Sequence, residues 1–146
     1  MFKHVLIPTD GSPASNKAAK AAIALARALR AKVTAYCALS ELEPIDLGGY
    51  AFDRETIDGF KEGARKVGQE RVDAIAKMAK SAGVSCASVV TKAHTPYEGI
   101  INVAKKQNCD VIFMATHGRR GFSKLVMGSV TQKVLALSTI PVVVYR

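Results

Sequence analysis

Short runs of consecutive apolar residues alternate along this chain with stretches in which apolar residues recur every three or four positions. The first kind of run marks a strand covered on both faces, and the second an amphipathic helix. Lys3 to Pro8, with Val5, Leu6 and Ile7 in succession, predicts the first strand. It ends in Thr9-Asp10-Gly11-Ser12-Pro13, where Ser12 reads as a helix N-cap and Pro13 as the first helical residue. The helix that follows runs to about Ala31, with Ala18, Ala22, Leu25 and Leu29 on one face and Lys20, Arg27 and Arg30 on another. Lys32 to Leu39 is the second strand. Asp53 to about Ala82 returns to helical spacing, with a buried stripe expected from Ile57, Phe60, Ala64 and Val67, then Val72, Ile75, Ala79 and Ala82. Gly63 and Gly68 point to a kink or break in its first half, and Gly83 is a stop signal.

Val84 to Thr91 reads as the third strand. Thr95-Pro96-Tyr97-Glu98 has the form of a capping box, opening a helix to about Asn108 with Tyr97, Ile100, Ile101 and Ala104 inward. Val111 to Ala115 is the fourth strand, and Ser129 to about Ser138 the last helix, burying Val130, Val134 and Leu137. Pro141 to Tyr145 is the last strand. The Ser40–Phe52 connection, with Pro44 and Gly48-Gly49, is long for an α/β link and reads as functional or mobile.

Strands alternating with helices in this way predict an α/β protein, a single domain over residues 1–146 with a doubly wound, five-stranded parallel sheet and helices on both faces. Two strand orders satisfy the connections. In 2-1-3-4-5 the third strand separates the two most polar loops, Pro8–Ser12 and Ala115–Gly121. In 3-2-1-4-5 those loops meet where the order reverses, which is where open α/β sheets bind ligands. That coincidence favours 3-2-1-4-5.

Composition narrows the partners. The chain carries 21 Lys and Arg against 12 Asp and Glu, a net charge of +9. Such a balance fits nucleic acid, an acidic surface or phosphate ligands. The cations are dispersed, however, aromatics are 6% and tryptophan is absent, so a base-stacking platform for nucleic acid is not expected. Cys37, Cys86 and Cys109 are odd in number and lack CxxC spacing, so neither a disulfide framework nor a zinc site is expected, and a reducing cytoplasm fits. The apolar run near the start is too short for a signal peptide, and no run reaches the roughly 18 apolar residues of a membrane span.

The most chemically loaded stretch is Val111–Thr131. A strand, a loop holding His117, Gly118, Arg119, Arg120 and Gly121, and a helix opening at Gly128-Ser129 can hold phosphate through backbone N–H groups and the helix dipole. GxxxxGK[ST], GxGxxG and GxSxG are all absent. The third strand ends Val90-Thr91-Lys92, without the aspartate of a phosphoacceptor domain. No aromatic stands in either loop to sandwich a flavin.

These residues resemble the universal stress proteins. The nucleotide-binding members of that family carry Gly-x2-Gly-x9-Gly-[Ser/Thr] after the fourth strand; here Ala115, Gly118 and Gly128-Ser129 hold those positions, with alanine in place of the first glycine. The opening VLIPTDGSPAS and the ending STIPVVVYR are similar to the family's first strand and loop and its last strand. The resemblance implies ATP across the carboxyl ends of strands one and four. On that reading Asp10 acts near the phosphates through Mg²⁺, a hard ion suited to carboxylate. Pro8 and Thr9 line the adenosine end, the Cys37 backbone meets adenine, and Met114 and Ala115 pass beneath the ribose. Gly118, Gly128, Ser129 and Val130 hold phosphates, with His117 and Arg119 beside them. Each has a plainer role as well: Asp10 as a turn residue, the glycines in tight turns, Ser129 as an N-cap, His117 and Arg119 as solvated loop residues.

The family further implies a cytoplasmic stress-response sensor or switch, forming a homodimer through the last strand, Pro141 to Tyr145. An apolar, uncharged edge strand invites such pairing on physical grounds too. No general base stands beside the glycine loop in the sequence, so efficient hydrolysis is not expected. A nucleotide-free interaction protein that meets an acidic partner, and a slow ATP hydrolase or self-phosphorylating enzyme, are the alternatives.

Overall fold

The computed structural model describes residues 1–41, 52–118 and 127–146. Its elements are β1 (His4–Pro8), α1 (Pro13–Leu29), β2 (Lys32–Ser40), α2 (Arg54–Ser81), β3 (Cys86–Ala93), α3 (Pro96–Lys106), β4 (Val111–Ala115), α4 (Ser129–Leu137) and β5 (Val142–Tyr145). The strands form one sheet in the order β3-β2-β1-β4-β5, and every pairing is parallel. This is the order in which the chain reverses between β1 and β4.

The consecutive apolar runs have the meaning expected of them. Val5, Leu6 and Ile7 are all fully buried, because α1 and α2 cover one face of the sheet and α3 and α4 the other. Burial of each such side chain contributes about 1.5–3 kcal/mol. Val5 and Ile7 join Ala18, Ala22, Val72 and Ile75 on the first face, while Leu6 joins Ile100, Ile112 and Val134 on the second. The alanines of α1 let that helix approach the strands closely. Ser12 caps α1, its hydroxyl accepting the Ser15 N–H at 3.1 Å, and Pro13 takes the first turn.

Four local expectations are corrected. α2 runs unbroken through Gly63 and Gly68. Gly68 is buried, and a methyl there would come within 2.7 Å of Leu39 Cδ2, so it serves close helix–sheet packing rather than a break. The first half of the α2 stripe is not core: Phe60 is 60% exposed, and Ala64 and Val67 are exposed too. That part of the helix extends past the sheet, and the buried stripe begins at Gly68 and Val72. In α4, Leu137 is 57% exposed, whereas Thr131 and Val134 are buried. At the start of α3, the Thr95 hydroxyl donates to Glu98 Oε2 at 2.7 Å instead of accepting a backbone N–H, so the capping box is replaced by a side-chain pair. The middle of the Ser40–Phe52 connection, residues 42–51, lies outside the described residues. Among the described residues no helix is long and apolar enough to cross a membrane.

Candidate functional site at the switch point

The strands that flank the reversal are short, and β2 is longer than β1. β1 pairs with β2 only as far as Pro8 against Tyr36, with the Thr9 N–H donating to the Tyr36 carbonyl at 2.8 Å. Beyond that point β2 continues to Ser40, paired with β3. Cys37 is therefore the first β2 residue past the end of β1, on a ledge above the β1 turn. Its side chain is buried on the α1/α2 face. Because the Tyr36 carbonyl faces β1 and the Val33 N–H faces β3, alternation turns the Cys37 N–H and C=O toward β3 and those of Ala38 toward the open edge.

The β1 turn is built by its own polar side chains. Asp10 Oδ1 accepts the Ser12 N–H at 2.9 Å, and Thr9 Oγ1 accepts the Gly11 N–H at 3.1 Å. Thr9 Oγ1 also lies 3.2 Å from Ser15 Oγ, which donates to the Ser12 carbonyl. Gly11 has φ +77°, a left-handed conformation that glycine adopts without steric cost. The other carboxylate oxygen of Asp10 occupies the space where a side chain at Gly118 would begin. The structure thus brings Asp10 and Gly118 together although 107 positions separate them in the sequence (118 less 10, less one).

The β4 side is closed by equally local bonds. The Gly128 N–H donates to the Thr116 carbonyl at 2.7 Å, joining the two ends of the glycine loop. A methyl on Gly128 would sit 3.2 Å from His117 Cα and 3.4 Å from the Thr116 carbonyl oxygen. Thr116 Oγ1 and His117 Nδ1 are 2.8 Å apart. The Thr131 hydroxyl donates to the Ala115 carbonyl at 3.0 Å, fixing α4 against the end of β4. Gly128, not Ser129, is the N-cap of α4, which corrects the capping role for Ser129. Among the described residues no side chain caps the α4 amides, and the N–H groups of a first helical turn suit an anion.

Ala115 stands in an ordinary strand conformation: only Arg30 and Asn108 among the described non-glycine residues have positive φ. Its methyl packs into the core beneath α1. The backbone therefore makes no demand for glycine at that position. Met114 is buried on the opposite face, and Pro8 and Thr9 are buried at the end of β1. Val130 is half-buried and Ser129 exposed in the first turn of α4. Arg119, with Arg120 and Gly121, lies outside the described residues.

Sequence reading missed Arg71, Thr116 and Thr131. The Arg71 side chain crosses from α2 to lie over Gly11, and its Nη1 reaches to 3.9 Å from Cys37 Sγ. Nothing near Arg71 in the sequence signals this, because only the packing of α2 on β2 sets its reach. Thr131 was open to detection as a hydroxyl in the first turn after Gly128-Ser129.

An open parallel sheet whose β1 turn meets Gly118, just past β4, at the reversal of strand order defines an α/β protein of the doubly wound class. The chain belongs to the universal stress protein family, whose family model matches residues 1–146. It is 30% identical to universal stress protein MJ0531 of Methanocaldococcus jannaschii, over all of this chain and 83% of that one. It is also 30% identical to universal stress protein YxiE of Bacillus subtilis, over the full length of both. Among solved structures, MJ0577 of Methanocaldococcus jannaschii superposes with a TM-score of 0.83 at 25% identity, over 99% of this chain and 95% of that one. The fold also matches a universal stress protein in complex with cAMP (TM-score 0.73, 22% identity, 99% and 97% covered). An Arabidopsis thaliana family protein with AMP bound matches as well (TM-score 0.69, 15% identity, 97% and 90% covered).

Proposed function

We propose that this protein binds an adenine nucleotide, ATP with Mg²⁺, across the carboxyl ends of β1 and β4. In this reading it works as a cytoplasmic, homodimeric stress-response sensor without efficient turnover. The observation that carries the reading is the contact between Asp10 and Gly118, which joins the two loops into one cleft. Two proteins of the same fold have been solved with cAMP and AMP, which supports the ligand class.

Each residue then has a physical task. Cys37 stands on the ledge past β1, and the open strand edge beside it, at the Ala38 backbone, would meet the base. Pro8 and Thr9 floor the adenosine end, and Met114 and Ala115 pass beneath the ribose. Gly118, Gly128, Ser129 and Val130 present backbone N–H groups, the Ser129 hydroxyl and the α4 dipole to the phosphates. His117 and Arg119 flank the phosphates. Among the described residues no three carboxylate, histidine or cysteine side chains gather as a metal cage. A lone carboxylate still suits Mg²⁺, which is commonly held by one or two carboxylates together with the phosphates and water. Asp10 would hold the ion from the β1 side, and the ion would neutralise phosphate charge.

The deciding measurement is isothermal titration of Mg-ATP into the wild type and into Gly128→Asp. Binding by the wild type, lost by the variant, is the expected result. Equal binding by both would move the site elsewhere, and no binding by the wild type would end the nucleotide reading.

A further inference from the structure

We propose that the groove between α1 and α2 is a docking site for an acidic, amphipathic helical segment of a partner protein. The groove encloses about 920 Å³ on the outer face of the helical layer. It lies beside the later turns of both helices, away from the Asp10 and Gly118 loops, so its occupancy does not depend on the nucleotide reading. Small side chains keep it open: Ala24 and Ala28 on α1, Ala74 on α2, with Met78 contributing apolar surface.

Its charges are of one sign. Lys20 and Arg27 stand on the α1 rim and Lys77 on the α2 rim, and among the described residues no carboxylate lines the groove. α1 contains no aspartate or glutamate anywhere in its sequence. None of the three cations has an ion-pair partner among the described residues, where the single salt bridge joins Arg65 to Glu62. An apolar floor between unneutralised cations is complementary to an apolar stripe between carboxylates.

The spacing selects a helix over a lipid. Lys20 and Arg27 are seven residues apart, two helical turns or about 10.5 Å along the axis. A third helix laid in the groove brings carboxylates to both rims at that interval while its apolar stripe meets the alanines. A fatty acid brings one anion at one end. A membrane surface is too flat to reach the floor between two helices.

The test uses the full chain, isotopically labelled, and a helical peptide of about 18 residues, roughly five turns. Leucines line one face of the peptide, flanked by glutamates, and a second peptide has lysine in place of each glutamate. The glutamate peptide is expected to bind with amide shift changes confined to residues 20–28 and 74–82, more weakly at higher salt. The lysine peptide is expected not to bind. Charge reversal in Lys20→Glu/Arg27→Glu should weaken binding at least about fivefold. Ala28→Leu, which fills the groove and keeps every charge, should weaken it as well. All of these substitutions are at exposed positions, and melting temperatures confirm that the variants fold. Absence of binding, shifts mapped elsewhere, or equal binding of both peptides overturns the proposal. So does rim-dependent binding to phosphatidylserine vesicles without peptide binding, which would make the surface a lipid reader.

Discussion

The Asp10 carboxylate lies against Gly118, so close that a Cβ at position 118 would clash with Oδ2. Gly118 itself is exposed, and Asp10 is held from its own side by the Ser12 N–H. A methyl at position 118 therefore pushes aside the end of one short side chain and leaves the core untouched. Gly118→Ala is expected to change stability by less than about 1 kcal/mol, as at other surface sites. Its expected effect on Mg-ATP affinity is a loss of about tenfold or more, since a displaced carboxylate misplaces the metal and the phosphates. Denaturant melts and calorimetric titration on the same preparation separate the two quantities. A variant that binds as tightly as wild type would remove Asp10 from the site.

Gly11 carries two constraints at once. Its φ of +77° disfavours any side chain, and a methyl there would approach Arg71 Nε to 2.7 Å. Gly11→Ala should cost about 1–2 kcal/mol from the backbone conformation alone. In a domain of this size that lowers the melting temperature by roughly 2–8 °C. In an Arg71→Ala background the steric part is relieved and the conformational part stays, so the alanine penalty should shrink without vanishing. Full additivity of the two substitutions would show that Arg71 does not pack on the turn.

The sheet and its order were legible because the strands flanking the switch point are runs of consecutive apolar residues bounded by polar turns, as at Val5–Ile7 and Val111–Ala115. Choosing 3-2-1-4-5 rested on where the polar loops fall, and Asp10 meeting Gly118 is the outcome of that order. Periodicity misled where a helix outruns its sheet. Phe60 and Val67 keep the apolar spacing of the α2 stripe yet face solvent, because nothing in the sequence marks how far a helix extends beyond the strands it covers. Leu137 failed for a related reason, since α4 buries Thr131 through a hydroxyl bond to the Ala115 carbonyl, a contact invisible to hydropathy. Arg71 was illegible because its role depends on the distance between elements remote in sequence.

His4 makes stability sensitive to mild acid. It is buried in β1, its Nε2 is 2.8 Å from Thr34 Oγ1, and its Nδ1 has no hydrogen-bond partner among the described residues. Burial lowers its pKa below the ordinary 6.5 and the Lys32 charge lowers it further, against smaller opposing effects from the 107–108 backbone and Asp110. Between the lowered folded value and the unfolded value near 6.5, the unfolded chain binds more protons, so stability rises with pH in that window. The contribution is complete above about pH 6.5 and is lost as pH falls through the folded value. His4→Gln, which cannot titrate, should flatten this dependence while lowering stability at neutral pH through imperfect replacement of the Thr34 bond. Urea melts from pH 5 to 8 read both effects, and an unchanged slope in the variant would assign the acid sensitivity to other groups.

The β5 edge gives a test of self-association that separates backbone from side chain. The Ile112 N–H donates to the Pro141 carbonyl and the Thr116 N–H to the Tyr145 carbonyl. Alternation along the strand then turns residues 141, 143 and 145 toward β4, and the N–H and C=O of Val142 and Val144 toward the open edge. If two copies pair through this edge, the Val144 N–H is one of the donors across the dimer. Val144→Pro removes that donor and leaves the bonds to β4 intact, as proline is tolerated on an edge strand. Val144→Ala shortens the side chain and keeps the N–H. The proline variant is expected to shift toward monomer at concentrations where wild type and the alanine variant remain dimeric, read by light scattering across a dilution series. Equal association by the proline and alanine variants would mean that any dimer does not use the β5 backbone.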